Sequence, residues 1–233
     1  DRPAGHGALL DNLNKIDSDF IFIKNIDNVQ PFNKSDKSIL TWKALGGVLL
    51  EYNIEARKVY QTPSIEAFQK LNDKYQIVDP SSISSLSNDD IKKTLNRPAR
   101  ICGMVRNEGQ PGGGPFWVND NGVISKQIVE KAQITMKGEQ YRLMVQSTHF
   151  NPVMIIASTK DMEGNKFDLS EFKDDSKYFI VKKKYQGQDI QFMELPGLWN
   201  GSMAKWSSLF IEIPSSTFSP VKTVLDLLDS SHK

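Results

Sequence analysis

Five short stretches of the 233-residue chain carry residue types that do chemistry, and the first stands at its very start. Pro3-Ala-Gly5-His6-Gly7 leads into a helical pattern. Its two glycines let backbone approach a ligand closely, and the N–H groups of a first helical turn attract anions or polar base edges. Asn25, Asp27 and Asn28 follow the apolar run Phe20-Ile-Phe-Ile23. An aspartate so placed can hold a hard divalent cation, and two amides can fix hydroxyls or phosphates. Near the far end, Pro220-Val-Lys222 stands where a loop turns into an apolar-periodic segment, and a lysine there offers a point charge to phosphate. His149 and Asn151 belong to Ser147-Thr-His-Phe-Asn-Pro-Val153. Asn200 belongs to Leu195-Pro-Gly-Leu-Trp-Asn-Gly201. Amides beside aromatic rings suit a sugar, and they equally suit the packing of an ordinary turn. Each stretch alone has a structural alternative: a tight turn at His6, a helix cap at Asn25 to Asn28, a solvated Lys222, a satisfied imidazole at His149.

The elements that must position these residues follow from periodicity. Leu9, Leu13 and Ile16 lie at helical spacing and predict a helix from about Ala8 to Lys15. Phe20 to Ile23 is apolar on both faces, the pattern of a strand covered on both sides in a parallel sheet. Ligands of open α/β sheets sit beyond the carboxyl ends of strands. With adjacent parallel strands, the Gly5-His6-Gly7 and Asn25-to-Asn28 clusters would share one sheet edge. Ser35 is placed to cap a long helix carrying Ile39, Trp42, Leu45, Leu49 and Tyr52, with Gly46-Gly47 marking a kink or a close crossing. Thr62-Pro63 opens another helix, with Ile65, Phe68, Leu71 and Tyr75 on its apolar stripe. Ser87-x-x-Asp90 is a capping box for a helix ending near Leu95. Ile101 to Val105 reads as a second buried strand.

Arg106 to Gly122 reads as a long loop. Its Gly112-Gly-Gly114 could cover phosphates, although the Lys-Ser/Thr of a P-loop is missing. Beyond it, strands are predicted over Tyr141 to Val145, Val153 to Ala157, Tyr178 to Val181, Ile190 to Met193 and Leu209 to Ile213, then a helix over Val221 to Leu228. The fold class is α/β: a mixed, Rossmann-like sheet with helices on both faces, plus a strand-rich C-terminal part. The expected division is residues 1–135 as an α/β unit and residues 136–233 as a strand-rich unit packed on it, returning Lys222 to the cleft.

Composition narrows the partners. Lys and Arg number 29 against 28 Asp and Glu, a net charge of +1, so nothing points to nucleic acid. The one cysteine, Cys102, lies in an apolar run and is expected to be a small core residue. It excludes an internal disulfide and a cysteine zinc cluster. No apolar run approaches the ~20 residues of a membrane-spanning helix. A cytoplasmic protein is expected.

The motifs, read together, resemble a known group. Pro3 to Val29 resembles the segment of UDP-sugar pyrophosphorylases that reads P-x-G-H-G, helix, strand, N-x-D-N. The C-terminal Ile213 to Leu228 resembles their later P-V-K segment. Arg106 to Phe116, Ser147 to Val153 and Leu195 to Trp206 look instead like an uncharacterised bacterial family, domain of unknown function 4301, read here as a distant branch of nucleotidyltransferases with a GT-A-like fold. The resemblance implies transfer of a nucleotidyl group from a nucleoside triphosphate to a sugar 1-phosphate, with Mg²⁺. Gly5 and Gly7 would present backbone to nucleobase and ribose, with His6 near the sugar phosphate. Asp27 would bind Mg²⁺, Asn25 and Asn28 would hold substrate groups, and Lys222 would neutralise phosphate charge. His149, Asn151 and Asn200 are candidate sugar contacts from the residues alone.

The sequence departs from that group at one point: it contains no G-G-x-G-T-R loop, which the group carries upstream of its G-H-G segment. The expectation is that a preceding part of the same protein supplies it, and that this stretch alone does not turn over. A non-catalytic nucleotide- or sugar-phosphate-binding protein of the same fold stays open as an alternative. So does a glycosyltransferase sharing the nucleotide-binding half.

Overall fold

The computed structural model describes residues 6–107, 113–120, 122–195, 197, 201–221, 223–228 and 232. Its centre is a four-stranded mixed sheet. The strands are β1 (Ile21–Ile23), β2 (Ala99–Arg106), β5 (His149–Ser158) and β8 (Ser207–Glu212), in the order β1-β5-β2-β8. β5 is antiparallel to β1 and β2, and β2 is parallel to β8. Strands from residues 1–135 and from residues 136–233 therefore share one sheet.

β2 is buried from Ala99 to Val105, and within it the apolar run Ile101 to Val105 is that of a strand covered on both faces, while Arg100 is buried beside it. One face of the sheet, through Ile101, Met154 and Ile156, packs on α2 (Asp36–Gln61), α3 (Ile65–Tyr75) and α4 (Asn88–Leu95). The other face meets α1 (Leu10–Asn14) through Ile21 and Ala157. It also meets Ile128 of the hairpin β3 (Gly114–Asp120) and β4 (Val123–Val129) through Cys102 and Met104. Gly46 needs no kink to explain it. α2 is one continuous helix, and a side chain added at Gly46 would lie 3.8 Å from Ile156 Cδ1, where the helix crosses the sheet closely.

Local chemistry sets the helix ends. Ser87 Oγ accepts from Asp90 N, and the Asp90 carboxylate accepts from Ser87 N, completing the expected capping box. α3 begins at Ile65, two residues beyond the expected Pro63, because Ser64 Oγ accepts from Ala67 N at 3.1 Å. Ser35 is not the expected side-chain cap: its backbone is already helical, and its hydroxyl donates back to Phe32 O at 2.8 Å.

Four further expectations are corrected. β1 is an edge strand with one antiparallel neighbour, not a strand between parallel ones, and Phe22 is 57% exposed. Gly114–Asp120, read as part of a loop, is strand β3 and pairs with β4 (Val123–Val129) as a hairpin; Gly122 has φ +90°, and its N–H donates to Asn119 Oδ1. Tyr141 to Val145 lies in α5 (Gly138–Gln146), not in a strand. Its alternating apolar residues Tyr141, Leu143 and Val145 are exposed, so burial did not enforce the two-residue period. The helix expected over 221–228 is, among the described residues, the five-residue 3-10 helix Val224–Leu228, and its apolar side chains are exposed. The expected strands near residues 178 and 190 form a separate hairpin, β6 (Phe179–Tyr185) with β7 (Gln188–Glu194).

Cys102 is fully buried, and burial pushes its thiol up to about 11, as an inert core residue requires. Among the described residues, no helix is long and apolar enough to cross a membrane.

Candidate functional site

β1, β2 and β8 all run in one direction, so their carboxyl ends lie at one edge of the sheet, together with the start of β5. The pairings Ile23 with Ile155, Arg106 with His149 and Met104 with Glu212 fix this. Asn25, Asp27, Asn28, His149 and Asn151 all stand at that edge. It is the edge where open α/β sheets hold ligands.

The chain leaving β1 turns at once. Asn25 Oδ1 accepts from Asp27 N at 3.1 Å and caps a one-turn 3-10 helix, Ile26–Asn28. Asn25 Nδ2 donates to Asp27 Oδ2 at 3.3 Å, which orients the carboxylate. Asp27 is half-buried and Asn28 is 3% exposed. Asn28 Nδ2 donates to Thr217 O at 3.5 Å, while its Oδ1 is buried and has no hydrogen-bond partner among the described residues. A buried carbonyl oxygen left unpaired costs free energy unless a ligand or an ion meets it.

The chain leaving β8 crosses the same edge to reach this turn. Ile213 N donates to Met104 O at 2.8 Å. Gly103 has no side chain because one would lie 2.6 Å from Ile213 Cδ1. Phe218 then stacks edge-on against Phe150 of β5, with centroids 5.1 Å apart. Ser219 N donates to Asp27 O at 2.8 Å. Gln30 adds a clamp: its Nε2 donates to Ser216 O at 2.6 Å and Ser219 Oγ at 2.9 Å, and its Oε1 accepts from Ser38 of α2 at 2.7 Å. Two segments from opposite ends of the sequence are thus tied into one platform.

His149 and Asn151 occupy the start of β5. His149 Nε2 lies 2.8 Å from Glu212 Oε2, and its Nδ1 lies 2.8 Å from Thr148 Oγ1. Arg106 Nε donates to Glu212 Oε1 at 3.1 Å. His149 and Arg106 beside it hold the Glu212 carboxyl below the usual carboxylate range. Asn151 Oδ1 accepts from Val153 N and so supports a bulge in which Val153 sits at φ +57°, a strained conformation for a β-branched residue. Asn151 Nδ2 is a buried donor without a hydrogen-bond partner among the described residues. The hairpin start abuts this bulge: a side chain on Gly114 would lie 2.5 Å from His149 O.

The fold thus brings together Asn25, Asp27, Asn28, His149 and Asn151. His6 opens the exposed 3-10 turn before α1. Gly7 lies in the same turn, whereas Gly5, Asn200 and Lys222 lie outside the described residues. Gln30, Arg106, Glu212 and Ser219 escaped sequence reasoning. Their partners are remote in sequence, and only the Ser-rich run at 215–219 hinted at a hydrogen-bonding segment. Three clefts, of about 700, 620 and 580 Å³, are lined by residues other than Asn25, Asp27 and Asn28. Among the described residues, no group of three or more His, Cys, Asp or Glu side chains stands ready to hold a metal ion.

The architecture defines a mixed α/β protein whose polar cluster lies at the carboxyl edge of its parallel strands. The chain belongs to the family described as Domain of unknown function (DUF4301), whose model matches residues 1–233. No curated protein matches it in sequence.

Proposed function

We propose that the carboxyl-edge platform is the nucleotide- and metal-handling half of a nucleotidyltransferase resembling the UDP-sugar pyrophosphorylases. The observation that carries this reading is the hydrogen bond from Ser219 N to Asp27 O, 2.8 Å long. It joins the two segments on which the resemblance rests, and Lys222 follows Ser219 by three residues.

In the proposed reaction, an oxygen of a sugar 1-phosphate attacks the α-phosphorus of a nucleoside triphosphate. The bond to the β-phosphate oxygen breaks, and pyrophosphate leaves with that electron pair. The nucleophile is already an anion, so positioning and charge neutralisation can do most of the work. A Mg²⁺ ion, when bound, would neutralise phosphate charge beside the α-phosphorus. Asp27 would hold it, with Asn28 Oδ1 as a neighbouring oxygen. One protein carboxylate with substrate phosphates and waters suits magnesium, which seldom uses a full protein cage. Lys222 would carry the opposite charge to the phosphates, and the residues around Gly5, His6 and Gly7 would face the nucleobase side. Asn151 Nδ2 offers an unpaired donor to the sugar, with His149 beside it.

The test is pyrophosphate release by the complete natural protein, across several triphosphates and sugar 1-phosphates with Mg²⁺. Release with one pair is expected. Asp27→Ala and Lys222→Ala should each reduce it at least ~10²-fold, the scale of losing one preorganised electrostatic group. Silence across the panel would overturn the reaction.

A second reading is favoured if the natural gene, like these 233 residues, carries no G-G-x-G-T-R stretch. A binding protein of the same architecture would take up nucleotide or sugar phosphate at this edge without releasing pyrophosphate. Saturable binding with no turnover by the complete protein would select it.

A further inference from the structure

The opposite edge of the sheet carries a second feature that the proposed reaction does not use. A cleft of about 580 Å³ opens where β5 ends at Ser158 and β2 begins at Ala99. One stripe of α2 borders it: Leu50, Asn53, Ile54, Arg57, Lys58 and Gln61 recur at helical spacing on one side of the helix. Arg97, just past the end of α4, and Lys160, in the turn after β5, complete the charged lining.

These four cations are not equally committed. Lys160 Nζ is held by Asp19 at 2.7 Å and by Asp17 at 3.7 Å. Arg57, Lys58 and Arg97 form no ion pair within 4.0 Å among the described residues. Arg97 is half-buried. Its Nε donates to Lys93 O at 3.2 Å, which orients the guanidinium fork and leaves its two terminal nitrogens to other acceptors. Burial lowers the Arg97 pKa from its ordinary value. The two carboxylates of the lining are occupied: Asp19 by Lys160, and Asp161 by its own turn, where its Oδ1 accepts from Glu163 N at 2.9 Å and Asn165 N at 2.7 Å. Tyr52 Oη, on a side chain 1% exposed, borders the cleft beside Ser207 and Arg97.

An otherwise charge-balanced chain therefore gathers, in one concavity, three cations that form no close ion pair among the described residues. Phe20, Leu50 and Met162 give it an apolar wall. We propose that this cleft binds a phosphorylated small molecule, with Arg57 and Arg97 on the phosphate oxygens, Lys58 at the mouth, and the organic body against the apolar wall. Guanidinium groups suit this role because their planar donor pairs match phosphate oxygens.

The test is calorimetric titration of inorganic phosphate and phenyl phosphate into the full chain, at constant ionic strength set with sodium chloride. Saturable binding is expected, tighter for phenyl phosphate. Arg57→Gln and Arg97→Gln should each weaken it about 10-fold, the loss of one charge-assisted hydrogen bond. Asp27→Ala, at the far edge of the sheet, should leave it unchanged. Arg57 lies on an exposed helix face, so Arg57→Gln carries the test even where Arg97→Gln fails to fold; circular dichroism checks both. Absence of saturable binding, or equal affinity in the Arg57→Gln/Arg97→Gln double variant, would overturn the site. So would binding lost in Asp27→Ala but kept in the double variant. Equal affinity for the two probes would overturn the role of the apolar wall. Failure of the pyrophosphate assay leaves all these readouts intact, so the two proposals fall separately.

Discussion

Ser219 N donates to Asp27 O across a distance of 2.8 Å, closing the C-terminal segment onto the turn after β1. Gln30 locks the same junction from the side through Ser216, Ser219 and Ser38. Gln30→Ala removes three hydrogen bonds at a partly buried site. It should lower stability by about 1–3 kcal/mol, read as a lower urea midpoint at unchanged slope. Ligand affinity at this edge should fall with it.

Lys126 gives a pH-dependent prediction. Its side chain is 9% exposed, its Nζ donates to Tyr75 O at 3.3 Å, and it lies over the rings of Trp117 and Phe210. Burial lowers its pKa from 10.5 to about 8. Between those values the unfolded chain holds more protons, so stability should rise with pH from about 8 to 10. Lys126→Met should raise the urea midpoint at pH 7, by up to about 3 kcal/mol of stability, and should flatten that rise. An unchanged pH profile would contradict the buried ammonium.

Gly114 tests the close approach of the hairpin to β5. A methyl there would lie 2.5 Å from His149 O, a backbone atom that cannot swing away. Gly114→Ala should destabilise by about 1–3 kcal/mol, measured by thermal unfolding. It should also disturb the His149–Glu212 contact.

Ser87→Ala should cost about 1 kcal/mol, since both hydrogen bonds of the α4 capping box depend on that residue or its backbone placement. Ser35→Ala should cost much less, because Ser35 Oγ does not cap α2.

Local signals in the sequence were legible where one residue's chemistry decides one turn. Ser87 with Asp90 announced α4, and the apolar run at 101–105 announced the central strand. The edge position of β1 was not legible: Phe22 is apolar yet largely exposed, so its pattern mimics a strand covered on both faces. The β3–β4 hairpin was hidden by its glycines, although Asn121-Gly122 is itself a strong hairpin signal. Of the candidate site, Asn25, Asp27 and Asn28 could be read from their place after a strand. Gln30, Glu212 and Ser219 could not, because their roles depend on a long-range crossing of the sheet edge that no local pattern encodes.

The central claim is that Asp27 anchors a metal–nucleotide site at the carboxyl edge. Its most direct test is calorimetric titration of the four Mg²⁺-loaded ribonucleoside triphosphates into the complete natural protein and its Asp27→Ala variant. Saturable, Mg²⁺-dependent binding of one triphosphate, weakened at least ~10-fold by the substitution, is predicted. Binding of none of the four, or binding indifferent to both Mg²⁺ and Asp27, would contradict it.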